Sequence, residues 1–219
     1  MDFGFLVTNL RYLLDGLWVT IALAASSFVG CLILGTGLAL LRLSPWWWLR
    51  WPIGLYIDVV RMVPLIMVIF WFFFLVPILI GRPVDAFVAG LAGLVAFHST
   101  YIAEVIRAGI QAVPQGLVEA SRCSGMSYRH CNWHVVLPIA IRYMLPALVN
   151  RFVALFMGTS LVYVIGVTEF FRAATNVNMK AFKPYEVYIF VALVYFVFCY
   201  SLSQVGAWLE RRLALSGTR

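Results

Sequence analysis

The sequence predicts an all-α membrane protein with five transmembrane helices in a single domain, 1–219. Three observations carry that expectation. Of 219 residues, 63% are hydrophobic and only 11% charged, with a mean hydropathy of +0.95. Soluble domains hold roughly 45–50% apolar and about 25% charged residues, so this chain cannot cover a water-facing surface. Apolar runs also recur at the ~20-residue length a helix needs to cross the hydrocarbon core. Finally, one polar, glycine-hinged passage, PQGLVEASRCSGMSYRHCNWHVVLP at 114–138, interrupts the series between its third and fourth runs.

The first span is expected at 17–41, followed by a loop with Arg42 and Arg50 beside Trp46, Trp47 and Trp48, an interfacial aromatic belt. The second, 53–80, is the densest, with VPLIMVIFWFFFLVPILI before Gly81. The third is expected at 84–110, the fourth at 138–166 and the fifth at 184–208. Gly35, Gly37, Pro64, Pro77, Gly93 and Pro146 fall inside these spans, where helix packing can resatisfy the freed backbone groups.

Five spans put the termini on opposite sides. Arg42, Arg50, Arg107, Arg122, Arg129, Arg142, Arg211, Arg212 and Arg219 gather on one side, and Arg11, Arg82, Arg172, Lys180 and Lys183 on the other. The excess predicts an amino terminus outside, and segment 114–138 and the carboxyl terminus in the cytoplasm. The net charge of +7 is scattered as single arginines with no basic run, which argues against nucleic acid. Cys31 and Cys199 lie in apolar runs, and the four cysteines form no disulfide framework. The amino-terminal stretch shows neither a basic leader nor a cleavage site, so no signal peptide is expected.

Within the polar passage, Pro114 suits the first turn of a helix and QGLVEASRCS can continue it. Gly125 offers the left-handed conformation that ends a helix, and Ser127 can cap a second one running to Leu137-Pro138. The expected result is two short helices joined at a glycine elbow, a lever that can be gripped and moved.

Glu119-Ala120-Ser121, Gly125, Val135 and Leu137-Pro138 stand at the spacings of the cytoplasmic signature of ATP-binding-cassette importer permeases. That signature reads Glu-Ala-Ala, three residues, Gly, nine residues, Ile, any residue, Leu-Pro; Ser121 and Val135 are its two departures. YLLDGLWVT (12–20), VVRMVPLIMVIFWF (59–72), YIAEVIRAGIQAVPQG (101–116) and TSLVYVIGVTEFFRAA (159–174) resemble the polar amino acid permeases, most closely their glutamate/aspartate branch. The resemblance implies the type I importer fold, with the elbow docking in a groove of the ATPase subunit. It also implies a second permease subunit, homologous or identical, two ATP-binding subunits and a periplasmic binding protein. The location it implies is the bacterial inner membrane. Two positions depart from the family, where a polar pair often precedes Thr-Ser-Leu and Asn-Gln often stands at 150–151. Here Met157-Gly158 and Asn150-Arg151 remove an acid and add a base, which favours an anionic amino acid or marks a half-site unlike its partner's.

Arg151 falls near the middle of the fourth span, where a cation costs on the order of 2.5–3.5 kcal/mol and must face a polar interior or a partner. Two readings stay open: a bidentate anchor for a substrate carboxylate, or an ion pair with an acid of another helix or subunit. Asn150, Thr159 and Ser160 could add neutral hydrogen bonds or pack between helices. Arg61 stands three residues after Asp58, which predicts an ion pair on one helix face. The alternative sets Arg61 at an inner gate where Pro64 bends the path. Glu104 and Arg107 share the same spacing and are expected to pair. His130 and His134, with Cys123 and Cys131 nearby, invite a zinc reading. No Glu follows the first His, so the metalloprotease pattern fails and surface histidines are expected.

The 219 residues contain no G-x-x-x-x-G-K-[ST] loop, and neither lysine, Lys180 or Lys183, follows a glycine. The expectation is therefore no cofactor in this chain, with ATP and Mg²⁺ held by the partner subunit, and no enzymatic activity of its own. An ATP-independent secondary transporter or channel is the alternative, distinguished by activity of this chain alone under an ion gradient.

Overall fold

The computed structural model describes residues 4–213; Arg219, counted above with the basic tail, lies outside the described residues. Four helices are long and apolar enough to cross a membrane: Thr8–Arg42, Ala86–Gln111, Tyr128–Ile165 and Pro184–Leu213. The fifth candidate span is broken, its halves Trp47–Met62 and Leu65–Ile80 meeting at 108°.

Helix α1 (Gly4–Arg42) starts well before the expected span and runs on to its last basic residue. α2 (Trp47–Met62) ends at Val63, which is extended at φ −94° and ψ 140°. The ring of Pro64 forces this, because it clashes with a helical conformation of the preceding residue. The expected continuous second span, 53–80, is thus corrected to an angled pair. Its second half is α3 (Leu65–Phe70), a π-helical turn Trp71–Leu75, and α4 (Val76–Ile80). The π turn sits immediately before Pro77, where the widened ring accommodates a residue with no N–H to donate.

α5 (Ala86–Gln111) begins at Asp85, whose carboxylate accepts from the Phe87 and Val88 amides at 2.9 and 3.3 Å. This helix is the axis of the molecule. α1 packs along it, and a Cβ on Gly35 of α1 would lie 2.8 Å from Ile102 Cγ2 and 2.9 Å from the Ser99 carbonyl. Such small residues let membrane helices approach to backbone distance.

α6 (Gln115–Cys123) and α7 (Tyr128–Cys131) follow, but α7 does not stop at Leu137-Pro138 as the sequence suggested. It passes through a second π turn, Asn132–Val136, directly into α8 (Leu137–Gly158). Pro138 is the reason, and the device matches the one before Pro77. α8 then tightens into a 3-10 helix, Thr159–Ile165, closed by Gly166 at φ +102°. An unanticipated short helix, α9 (Phe170–Ala181), leads to the last span, α10 (Pro184–Leu213).

Three apolar clusters hold the bundle together. One joins α1, α2, α5 and α8 through Leu38, Ile57, Ile102 and Leu155. Another, around Leu23, Ile69, Leu94 and Val162, fixes α3 and the 3-10 helix against α1 and α5. The third seats α9 on α1 and α10 through Leu13, Phe170, Val177 and Val187. Outward faces remain apolar, as with Trp18 at 70% and Phe196 at 63% exposure, which suits a protein solvated by lipid.

Candidate functional site

Two regions hold most of the residues singled out from sequence: an elbow at one end, and a cluster of charges around Tyr101 of α5.

At the elbow, α6 ends on a complete Schellman motif. Gly125 sits at φ +85°, its amide donates to the Arg122 carbonyl at 3.0 Å, and the Met126 amide donates to the Ser121 carbonyl at 3.2 Å. Only glycine adopts this turn without steric cost. Ser127 caps α7, accepting from the His130 amide at 3.4 Å. Ser121, one of the departures from the signature, is buried, and its hydroxyl meets the Cys131 thiol at 2.8 Å across the hinge. Val113 and Val118 anchor α6 to the bundle core, while Glu119 and Ala120 are exposed on its outer surface. The elbow is therefore a short exposed arm joined rigidly to the span that follows, because the π turn carries α7 into α8 without a break. His130 and His134 stack there at 4.0 Å between ring centroids.

Beside α5, Arg61 is exposed and does not pair with Asp58 as its spacing suggested. Asp58 is taken by Arg42, at 3.5 Å, because α1 returns beside α2. Arg61 instead lies over the Tyr101 ring, 4.8 Å from its centroid. Arg151, from α8, lies 4.9 Å from the same centroid. Neither guanidinium has an ion pair or hydrogen bond among the described residues. Two cations thus share one aromatic ring, and each gains the attraction of its π system. Pro64 sits one turn beyond Arg61, at the break that aims this end of α2 toward α5 and α8.

One turn from Tyr101 stands His98, buried, with Nε2 lacking a hydrogen-bond partner among the described residues. It faces Gly158, where a Cβ would fall 3.2 Å from that nitrogen and 3.0 Å from Leu65. A Cβ at 158 would press on both side chains by a few tenths of an ångström, so the glycine at this departure position suits the close meeting of α8, α5 and α3. The remaining candidates are placed elsewhere. The Thr159 hydroxyl is buried and donates to the Phe156 carbonyl at 2.6 Å, and Ser160 donates to the Met157 carbonyl at 2.8 Å. Asn150 is exposed, on the side of α8 toward Gly206 of α10.

Below the cluster, Glu104 and Arg107 pair at 2.8 Å, and Arg42 joins them by a second ion pair to Glu104. The network ties α1, α2 and α5 at the end where the arginines concentrate.

Sequence reasoning gave no site role to His98, Tyr101 or Arg42. A signal for the first two existed: 98, 101 and 104 are spaced by three, so they share one helical face with Glu104. It also passed over Glu169, fully buried at the start of α9, where it accepts from the Phe171 and Arg172 amides at 2.9 and 2.7 Å. Thr20 and Tyr195 bring hydroxyls to the same carboxyl at 3.5 and 3.4 Å.

Comparison with known proteins gives a consistent picture. A family described as binding-protein-dependent transport system inner membrane component matches residues 31–215. The glutamate/aspartate import permease protein GltK of Escherichia coli O6:H1 is 34% identical over 220 residues, covering 97% of this chain and 98% of the relative. The probable glutamine ABC transporter permease protein GlnM of Bacillus subtilis is 35% identical over 216 residues, covering 99% and 100%. Among solved structures, an amino acid ABC transporter crystallised with histidines superposes with a TM-score of 0.90 at 32% identity, covering 97% and 99%.

Proposed function

The chain belongs to the binding-protein-dependent transport system inner membrane components, and on that premise we propose that it is the permease subunit of an ATP-driven importer of acidic amino acids. The observation that carries the substrate class is the pair Arg61 and Arg151, both over the Tyr101 ring. Two guanidinium groups over one ring, neither in an ion pair among the described residues, form a site that an anion completes. Glutamate and aspartate bring two carboxylates and a net negative charge, which lowers the cost of two cations inside a membrane domain. The identity to GltK supports the same reading.

The chain works as a single transmembrane domain, with 114–138 as its coupling segment. Glu119, Ala120, Ser121 and Gly125 present the arm to a groove of the ATPase subunit, and Leu137 and Pro138 join that arm to α8. Closure of two ATPase subunits, which hold ATP and Mg²⁺, pushes the arm; α8 then carries the displacement to Arg151. The result is alternating access between a periplasmic binding protein and the cytoplasm, in a pair with a second permease. The amino terminus lies on the periplasmic side and the carboxyl terminus in the cytoplasm, by the excess of arginine at the elbow end.

A glutamine importer is the second reading, favoured by the 35% identity to GlnM. Uptake in membranes containing the assembled transporter separates the two. Radiolabelled glutamate should be displaced by unlabelled aspartate far better than by glutamine, and Arg151→Gln should abolish that preference. An Arg151→Gln transporter with unchanged affinity for acidic amino acids would remove the substrate assignment.

A further inference from the structure

We propose that a hollow between the end of α1 and the start of α2 holds the phosphodiester headgroup of an anionic phospholipid. The hollow has a volume of about 670 Å³ and is lined by Arg42, Trp47, Arg50, Trp51, Asp58 and Arg107, among others. It lies apart from the Tyr101 cluster, at the end of the bundle where α1 stops and α2 starts.

Its charges do not balance. Arg42 is bridged to Asp58 and Glu104, and Arg107 to Glu104 and to the Gln111 side chain at 2.7 Å. The Arg50 guanidinium has no ion pair or hydrogen bond among the described residues. Three guanidinium groups therefore face two carboxylates, and the surplus is one positive charge at Arg50. The phosphodiester of an anionic phospholipid carries one negative charge that no headgroup cation offsets, and its oxygens match the guanidinium fork.

The surroundings fit a lipid rather than a free ion. Trp47 and Trp51 flank the hollow at 72% and 67% exposure, and tryptophan with its amphipathic ring belongs at headgroup depth. Beyond them Leu55, Val59 and Met62 continue along the exposed side of α2, at 50%, 49% and 83% exposure. Residues 51, 55, 59 and 62 follow at helical spacing, so acyl chains can lie along this stripe while the phosphate sits at Arg50. Gly54 forms the floor: its Cα faces the Arg42 guanidinium, and a Cβ there would be 3.8 Å from Arg42 Nε.

The test uses the assembled transporter, permease with its ATPase subunits, in mild detergent. It is titrated with phosphatidylglycerol, phosphatidylethanolamine or phosphatidylcholine, and retained lipid is counted by native mass spectrometry. Phosphatidylglycerol should be retained over the two zwitterionic lipids. Arg50→Gln should weaken its retention about fivefold, the worth of one basic residue at an anionic surface. Gly54→Leu, which fills the hollow without touching its charge, should weaken it as well and serves if Arg50→Gln fails to assemble. Equal retention of all three lipids, or retention unaffected by either substitution, overturns the proposal. Displacement of phosphatidylglycerol by inorganic phosphate alone would assign the hollow to a free anion and overturn the lipid. None of these readouts depends on which amino acid is carried.

Discussion

The Ser121 hydroxyl and the Cys131 thiol meet at 2.8 Å, so the two arms of the elbow are bonded to each other across the Gly125 hinge. The same hydroxyl donates to the Val118 carbonyl at 2.8 Å. The elbow is a closed unit in which α6 is held to α7, and α7 runs on into α8.

Gly125 should be the least replaceable residue of that unit. Valine at φ +85° places a branched side chain in the left-handed region, at a cost of about 1–3 kcal/mol, and opens the Schellman turn. Ser121→Ala should cost only about 1 kcal/mol, the worth of one net hydrogen bond. Co-purification of the ATPase subunit with each variant, followed by uptake, checks this: Gly125→Val is expected to lose both, and Ser121→Ala to retain both.

Tyr101 should act through its ring and not its hydroxyl. Tyr101→Phe keeps an aromatic ring beside Arg61 and Arg151, and uptake should stay near the starting level. Tyr101→Leu removes both cation–π contacts, worth about 0.5–2 kcal/mol each, and leaves two cations beside an apolar side chain. A raised KM together with a lowered thermal midpoint is the expected outcome for leucine; equal behaviour of the two variants would show the ring to be dispensable.

Pro138 should set the rotation of the elbow relative to α8. With Pro138→Ala the N–H is restored, and the π turn at Asn132–Val136 can relax to regular α-helix. That turns α6 and α7 about the helix axis by the angle of the lost extra residue, on the order of 100°. Thermal stability should hold or rise while coupled transport falls. Disulfide trapping between cysteines placed on α6 and on the ATPase subunit would report the displaced arm.

Glu169 should be structural. It caps α9 with two backbone bonds and gathers Thr20 from α1 and Tyr195 from α10. The Phe171 and Arg172 amides donate to different oxygens, so Glu169→Gln keeps one of the two cap bonds and sets its NH2 against the other donor, whereas Glu169→Ala forfeits the whole cap at about 0.5–2 kcal/mol and strands more buried donors. Thermal unfolding of the purified transporter should rank the variants wild type, Gln, Ala.

The apolar runs determined the spans because burial in a bilayer depends on composition and length alone. The elbow was legible for a similar reason: capping and left-handed turns are local, so Ser127 and Gly125 announce themselves. The Glu104–Arg107 pair, three residues apart on one helix, was equally local. Partnerships between helices were not legible. Asp58 has an arginine at helical spacing on its own helix, yet α1 brings Arg42 closer, and Arg61 turns to Tyr101. Nor could periodicity foresee that Pro64 would bend one span by 108° while Pro138 merely widened a turn. The first proline has an extended residue before it and the second a helical one, and which of these prevails is decided by packing. The sequence thus settled what enters the membrane and where the chain hinges, and only the tertiary structure decided which charges meet, because ion pairs and ring contacts depend on distances that no single helix contains.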